Sequence, residues 1–315
     1  QGIAEDTKAL TAGVLDDDKY REQAMLVLEE NMRMFESEFA RFRGGFFFHY
    51  FSSLDLNSHM FWRAMDRRHP LFNAGLAARH GGFIPSLYAR MDEVVGRAMR
   101  RIGPDVALLV MSDHGFAPFR RQFNLNSWLM DNGYALPGPS SSRGHGKYFT
   151  DVEWTGTRAY GLGINGLYLN VRGREQFGIV APGGEQAALE TELASRLATL
   201  RDPRTGEQPI LKVHRRSEIY SGPCMAEAPD LIVGYNRNYR SSWDTVLGSY
   251  PVEHFADNTD PWSGDHAMDA TTVPGVLIAN RKIAASSPSL SDLAPTILAE
   301  FGVPAPQEMT GKPVW

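Results

Sequence analysis

The sequence predicts an α/β fold in which a mostly parallel central sheet is flanked by helices. Segments with helical apolar spacing alternate with short, uninterrupted apolar segments, an order typical of parallel α/β units. The 315 residues are 43% hydrophobic, which is enough for a sizeable core. No repeat or clear interdomain linker interrupts this pattern. We therefore predict a single α/β domain over residues 1–315, with an exposed loop insertion at residues 135–153, where Gly, Pro and Ser concentrate.

Helices are predicted where apolar residues recur every three or four positions. The longest such segment runs from residue 18 to residue 42 and ends at "RGG", whose glycines favour termination. Its apolar face is formed by Tyr20, Ala24, Val27, Leu28, Met32, Phe35 and Phe39. The other predicted helices cover residues 85–102, which begin with a proline, residues 183–200 and residues 290–302.

Strands are predicted where short apolar runs stand between these helices. "FFFHYFS" (46–52) and "DVALLVMS" (105–112) are uninterrupted, as expected of strands buried on both faces of a parallel sheet. Further strand candidates are "GLYLNV" (166–171), "PDLIVGY" (229–235) and "VPGVLIAN" (273–280).

The composition argues against several classes of protein. The net charge is −5 and no basic stripe is present, which disfavours nucleic acid as a structural partner. No apolar stretch approaches the roughly 18 residues of a membrane span. The one cysteine, Cys224, excludes an intramolecular disulfide framework and a four-cysteine zinc site. None of these observations indicates a cellular compartment.

Acids and histidines lie next to predicted strands at three places. Asp55 and His59 follow the first strand and stand four residues apart, so a helix there would put both on one face. Asp113 and His114 follow the second strand. His266 lies in "SGDHAMD", ahead of the strand at 273–280. Each signal alone also has a structural explanation: a surface pair, a turn stabilised by Asp, and a loop histidine.

The combination favours a metal site. The carboxyl ends of parallel strands share one edge of a sheet, so we expect Asp55, His59, Asp113 and His114 to converge there. Carboxylate oxygen together with imidazole nitrogen suits zinc, and manganese or iron less selectively. Gly115 lets the backbone turn tightly beside the pair.

At these residues the sequence resembles the alkaline phosphatase superfamily, and within it the type I phosphodiesterases and nucleotide pyrophosphatases. The resemblance extends from about residue 46 to the C-terminus. It is carried by "LDLNSH" (54–59), "MSDHGF" (111–116), "AEAPDLIVGY" (226–235), "SGDHAMD" (263–269) and "SLSDLAPTILAEFGVPAPQEMTGKP" (289–313).

The resemblance implies two divalent metal ions, most often zinc, at the sheet edge. It assigns Asp55, His59 and His266 to one ion, and Asp113 and His114 to the other. Asp265 would orient His266 from behind, although capping of a turn explains that residue equally well.

The sequence departs from the family pattern at the nucleophile. The resemblance implies an Asp that ends the first strand and a Thr or Ser that opens a helix, both well before the Asp-xxx-His motif. Only 54 residues precede Asp55, and none has that context. We therefore expect an N-terminally truncated, alkaline-phosphatase-like domain, with no catalytic nucleophile in this chain and an incomplete second metal site. Alone it should be close to inactive, and the missing segment would be its partner; a natural pseudoenzyme is the other explanation.

The predicted function is metal-dependent hydrolysis of phosphate diesters or nucleotide pyrophosphate bonds, with a phosphate ester as substrate. A phosphomonoesterase, a sulfatase-like enzyme or a phosphomutase on the same scaffold is the alternative among enzymes. If the chain truly starts at Gln1, a non-catalytic binding module is the other alternative. Weaker candidates for the substrate cleft are Arg158, Tyr160 and Asn165. The two arginines of "NRNYRSSW" (236–243) are weaker candidates for contact with an anionic leaving group, with a solvated loop as the alternative.

Overall fold

The structure is a computed structural model that describes residues 3–139, 146–150 and 152–315. Its residues cluster into two compact units. The first contains Gln1–Leu87 and Phe116–Val273, and the second contains Tyr88–Gly115 and Pro274–Trp315. That the whole chain forms one domain stays a prediction.

Helices dominate the first hundred residues and recur between the strands. In chain order they are α1 Thr7–Thr11, α2 Asp17–Arg41, α3 Ser53–Met65, α4 Ala74–His80, α5 Phe83–Arg101, α6 Leu125–Asp131, α7 Gly184–Ala198, α8 Arg216–Ile219, α9 Trp243–Val246 and α10 Leu293–Glu300. The four helices predicted from apolar spacing correspond to α2, α5, α7 and α10.

The strands are short. In chain order they are β1 Leu109–Met111, β2 Ala117–Phe123, β3 Ala159–Leu162, β4 Gly166–Leu169, β5 Ile210–Arg215, β6 Leu231–Tyr235, β7 Asn238–Ser241, β8 Phe255–Asp257, β9 Gly264–Asp265 and β10 Leu277–Ala279. Within the first unit, one sheet has the order β7-β2-β8, with β9 also paired to β2, and another has the order β3-β4-β6-β5.

The prediction of a mostly parallel sheet is wrong. In the part of the chain that the structure describes, β2 and β7 run parallel, and the other paired strands are antiparallel. The connection between β3 and β4 shows why, because its few residues can join antiparallel neighbours but not a parallel pair, which needs a crossover of about a dozen or more. Alternation of helical and apolar segments was therefore an insufficient guide to strand direction.

The first predicted strand is also wrong. Residues 46–52 are extended, but they pair with no strand among the described residues. Their side chains alternate: Phe46, Phe48 and Tyr50 are exposed, whereas the ring of Phe47 contacts Phe35 of α2. An uninterrupted aromatic run fits this one-sided packing as well as it fits a strand covered on both faces.

Helix α2 forms as its sequence predicts. Asp16 is its N-cap and accepts a hydrogen bond from the backbone of Lys19 at 2.7 Å, while Asp17 and Asp18 lie in the first turn, where the helix dipole favours acids. Six of its side chains form a buried stripe: Tyr20, Ala24, Leu28, Met32, Phe35 and Phe39. The "DDD" at 16–18 thus begins a helix.

Helix α3 is anchored to the start of α2 by an ion pair between the buried Arg63 and Asp17. Both sides of α3 are covered, since most of its side chains from Asn57 onward are buried. This fixes the rotation of the helix, and with it the direction in which Asp55 and His59 point.

The core of the first unit lies between the antiparallel sheet and α7. Leu189, Leu193 and Leu197 recur every four residues on α7 and are buried, as are Leu231 and Val233 of β6. Burial of each such side chain contributes about 1.5–3 kcal/mol.

The second unit contains β1, β10 and α10. The two strands pair antiparallel, with Val110 opposite Ile278. The predicted strands at 105–112 and 273–280 therefore exist in shortened form, and their side chains are half-buried or exposed within this unit.

The predicted loop insertion is irregular where the structure describes it. Pro137 and Val152 form an isolated antiparallel bridge, and the backbone amides of Tyr148 and Phe149 donate to the carbonyls of Leu247 and Gly248. Residues 140–145 and 151, including the lid candidate His145, lie outside the described residues.

None of the helices in the described residues is both long and apolar enough to cross a membrane.

Candidate metal centre

Asp55 and His59 lie on one face of α3. Asp55 is in the first turn of the helix and His59 stands one turn further on, so their side chains are neighbours. The Asp55 Oδ2 and His59 Nε2 atoms are 3.8 Å apart. The helix that the Asp-xxx-His spacing required is present, although Asp55 follows an extended segment and not a strand.

His266 is brought to these residues by the strand that precedes it. β9 pairs with the start of β2, with Ala117 opposite Asp265. On its other side, the backbone N–H of Ser263 donates to the carbonyl of His59 at 2.7 Å. As a result, His266 Nε2 lies 3.8 Å from Asp55 Oδ1.

Asp55 approaches one nitrogen of each histidine through a different carboxylate oxygen. Zinc ligands at about 2.0–2.2 Å in a tetrahedral arrangement are about 3.4 Å from one another, close to the 3.8 Å that separates Asp55 from each histidine nitrogen. Those separations are also longer than a direct hydrogen bond of about 2.7–3.2 Å. Asp55 and His266 are half-buried, and both offer metal-ligand atoms.

His59 is held in the tautomer that a metal ligand needs. Its Nδ1 donates to the carbonyl of Gly264 at 2.7 Å, which directs the lone pair of Nε2 toward Asp55. Burial lowers the pKa of His59 below its ordinary value, so the ring is neutral at pH 7. The indole of Trp262 stacks on the ring, with centroids 3.7 Å apart.

Asp265 is the residue that shapes the turn before His266. Its Oδ1 accepts the backbone N–H groups of His266 and Ala267 at 2.7 and 2.8 Å, while its Oδ2 accepts the indole N–H of Trp262 at 2.8 Å. Burial raises the pKa of Asp265, but the Arg240 guanidinium, the His59 ring and the hydrogen bonds from Ala267 and Trp262 together outweigh burial, and the pKa is lowered. Asp265 thus caps a turn, and through the turn it fixes the backbone of His266.

Gly264 allows β9 to approach α3. A Cβ atom at this position would lie 2.6 Å from the carbonyl oxygen of Ser58 and 3.0 Å from Cβ of Trp62. Any other residue would separate the strand from the helix. The glycine of "SGDH" is therefore required by packing beneath the candidate metal ligands.

Phe116 covers the histidines from a third direction. Its ring meets His59 and His266 edge-on, at 4.8 and 5.5 Å between centroids. Since Phe116 ends the motif "MSDHGF", the motifs at 54–59, 111–116 and 263–269 each contribute to this cluster. Sequence reasoning did not single out Phe116 or Trp262, and their aromatic character beside the motifs was the available signal.

Asp113 and His114 belong to the second unit, where they follow β1. His114 Nε2 lies 3.5 Å from Asp113 Oδ2, and the backbone N–H of His114 donates to Asp113 Oδ1 at 3.2 Å. Asp113 is exposed and His114 half-buried.

The weaker candidates make local contacts. The guanidinium of Arg158 lies over the ring of Tyr134, Tyr160 donates to Glu175, and the side-chain amide of Asn165 donates to the carbonyl of Val233. Of the two arginines in 236–243, Arg237 is exposed and donates to the carbonyl of Thr272, and Arg240 is buried beside Asp265.

Comparison with known proteins identifies the family. The family model described as "Type I phosphodiesterase / nucleotide pyrophosphatase" matches residues 9–247, well over half of the sequence. The chain belongs to the type I phosphodiesterase/nucleotide pyrophosphatase family. The resemblance found in the sequence motifs is confirmed by this match. No curated protein matches this chain.

One solved structure similar to this type I phosphodiesterase family member is that of phosphonoacetate hydrolase from Sinorhizobium meliloti 1021 in complex with phosphonoformate. The sequences are 14% identical, and the likeness covers 59% of this chain and 38% of that one, so the chain spans less than half of that relative. The TM-score is 0.30, too low to assign a property of that protein to the present chain.

Proposed function

We propose that this chain carries part of the active site of a metal-dependent phosphoester hydrolase that acts on phosphate diesters or nucleotide pyrophosphate bonds. In this proposal Asp55, His59 and His266 hold one divalent cation, most often zinc. The observation that carries it is the approach of Asp55 to two histidine nitrogens at 3.8 Å each, from positions far apart along the chain.

The donor set supports a cation at this position. Asp55 supplies a negative charge, and His59 supplies a neutral nitrogen whose direction is fixed by its bond to the Gly264 carbonyl. Three protein ligands of this kind leave a position open for water or substrate, the arrangement of catalytic zinc sites. A divalent cation there would stabilise negative charge on a phosphoryl oxygen.

A second cation site is proposed from the family resemblance. Asp113 and His114 would hold this second cation, with fewer ligands from this chain than the first.

Metal titration tests the first site directly. After treatment with a chelator, the protein is titrated with zinc chloride in a calorimeter, and we expect one tight equivalent. His59→Ala removes one of the three ligands and should weaken that equivalent by at least 10- to 100-fold, because even the residues behind metal ligands contribute this much.

The matched control is His254→Ala. His254 is a partly exposed histidine that pairs with Asp131 at 2.8 Å, so this variant also removes one imidazole. We expect it to bind zinc as the wild type does. Equal zinc binding by the wild type and His59→Ala would refute the first site.

Substrate class is tested by rates on three esters. With metal present, the protein should hydrolyse bis-p-nitrophenyl phosphate faster than p-nitrophenyl phosphate or p-nitrophenyl sulfate. A preference for the monoester or the sulfate would support the alternatives on the same scaffold.

A further inference from the structure

Arg240 is a buried cation paired with the carboxylate of Asp265. Its side chain is 1% exposed, and its Nε lies 2.8 Å from Oδ2 of Asp265. The guanidinium also lies over the rings of Trp243 and Phe119, at 4.2 and 5.3 Å. A charge buried this deeply is stable only when it is paired, so Arg240 and Asp265 hold each other in place.

Asp265 passes this constraint to two neighbouring segments. One oxygen accepts the N–H groups of His266 and Ala267, and the other accepts the indole N–H of Trp262 in addition to facing Arg240. Three hydrogen bonds and one ion pair thus converge on one carboxylate. If Arg240 is removed, Asp265 loses its paired cation, and the carboxylate that holds both the turn and the indole is less constrained.

The two histidines depend on these same atoms. Trp262 stacks on His59 at 3.7 Å, and the carbonyl that receives the Nδ1–H of His59 belongs to Gly264, the residue before Asp265. The backbone N–H of His266 donates to the Asp265 carboxylate, which fixes the position of that residue. Both nitrogen donors of the candidate site are therefore oriented by residues 262–266.

We propose that Arg240 is a positioning residue for this metal site: through Asp265 it holds the turn that carries His266 and the indole that orients His59. The inference rests on the proposed metal site, since it assigns Arg240 a role toward that site. From the sequence, the arginines of 236–243 were expected to contact an anionic leaving group. The present proposal gives Arg240 a different role.

Metal affinity and the cobalt spectrum test this role. Arg240→Met keeps most of the side-chain volume and removes the cation. We expect it to weaken zinc binding about 10- to 100-fold, the usual effect of removing a group that orients metal ligands. The visible absorption of the Co²⁺-loaded protein should also change, because that spectrum reports the geometry of the ligands.

Arg121→Met is the matched control. Arg121 is also a buried arginine, and it pairs with Asp257 of the neighbouring strand β8 and with Asp202, which lies between α7 and β5. This variant should lose thermal stability yet keep the wild-type zinc affinity and Co²⁺ spectrum. Equal loss of zinc affinity in Arg121→Met and Arg240→Met would show that general destabilisation explains the effect, and would overturn the proposal.

A double-mutant cycle separates positioning through Asp265 from an independent effect. If Arg240 acts through Asp265, Arg240→Met combined with Asp265→Asn should weaken zinc binding no more than Asp265→Asn alone. Additive losses would overturn this route. Should Arg240→Met fail to fold, Trp262→Phe, which removes the indole N–H from the same network and keeps a smaller aromatic ring, should still change the Co²⁺ spectrum, and an unchanged spectrum there would overturn the proposal.

The outcomes also distinguish this inference from the proposed function. Absence of zinc binding by the wild type would refute the metal site and the role of Arg240 with it. Wild-type zinc binding that is abolished by His59→Ala but unchanged in Arg240→Met, with an unchanged Co²⁺ spectrum, would refute only the role of Arg240.

Discussion

His69 is a buried histidine whose two hydrogen bonds require the neutral ring. Its Nε2 donates to the carbonyl of Phe119 at 3.1 Å, and its Nδ1 accepts the backbone N–H of Leu71 at 3.1 Å. Burial lowers the pKa of His69 from 6.5 to about 4. Protonation would therefore break the bond from Leu71 and leave a charge without water around it.

This geometry predicts how His69 contributes to stability as pH changes. Between pH 6.5 and 4 the unfolded chain binds a proton that the folded chain does not, so the contribution is complete above pH 6.5 and is lost as pH falls. The loss is on the order of 3 kcal/mol. Relative to His69→Gln, the wild type should have its largest advantage in melting temperature at pH 7.5, and a smaller one at pH 4.5. A constant difference across this range would contradict the neutral buried ring.

At the same scale, the sequence predicted the candidate metal ligands but not the residues that orient them. The i, i+4 spacing of Asp55 and His59 is local, so a single helix is enough to bring them together. The pairing of Arg240 with Asp265 depends on where β7 and β9 lie relative to β2, and nothing in the sequence between them reports that.

At the scale of elements, the contact between β9 and α3 depends on Gly264. A Cβ atom 2.6 Å from the Ser58 carbonyl cannot be accommodated without moving the strand. We predict that Gly264→Ala destabilises the protein by about 1–3 kcal/mol and weakens zinc binding, because the turn at His266 moves with the strand. Melting temperature and zinc calorimetry measure the two effects.

Gly82→Ala is the control for this prediction. A Cβ atom at Gly82 would have no neighbour within 4 Å, and its φ angle is not in the left-handed region. This variant should be as stable as the wild type or slightly more stable, because alanine restricts the unfolded chain. If both alanine variants behave alike, the close approach at Gly264 is not what limits that position.

The extended segment at 46–52 gives a second test at this scale. Phe48 is 68% exposed, whereas Phe35, on which the inward side chains of the segment pack, is 6% exposed. Phe48→Ser should change the free energy of unfolding by no more than about 0.5 kcal/mol, and Phe35→Ala should cost about 3–5 kcal/mol. Urea denaturation measures both. A large cost for Phe48→Ser would favour the strand buried on both faces that the sequence predicted.

The elements also show which parts of the fold a sequence can reveal. The predicted helices are present because helical hydrogen bonds and the buried stripe of α2 involve residues three or four positions apart. Strand direction is set by contacts over long separations, such as β2 with β7 and β8, and these leave no local pattern. An uninterrupted apolar run is therefore compatible with a parallel strand, with an antiparallel strand and with an extended segment such as 46–52.

For the whole molecule, the distance along the chain between Asp55 and His266 links metal binding to folding. Their approach exists only when α3 and β9 are packed together, so the unfolded chain lacks the site. A ligand that binds only the folded state at 100 times its Kd adds about 2.7 kcal/mol to stability. We predict that zinc raises the melting temperature of the chelator-treated wild type, and that a chelator reverses the increase.

The variants determine whether this increase belongs to the proposed site. His59→Ala and His266→Ala each remove one of the three proposed ligands, so both should lose most of the zinc-induced stabilisation. His254→Ala should retain it, because His254 pairs with Asp131 elsewhere on the chain. If zinc stabilises all three variants as it does the wild type, the cation binds elsewhere, and the convergence of Asp55, His59 and His266 is a packing arrangement without a role in metal binding.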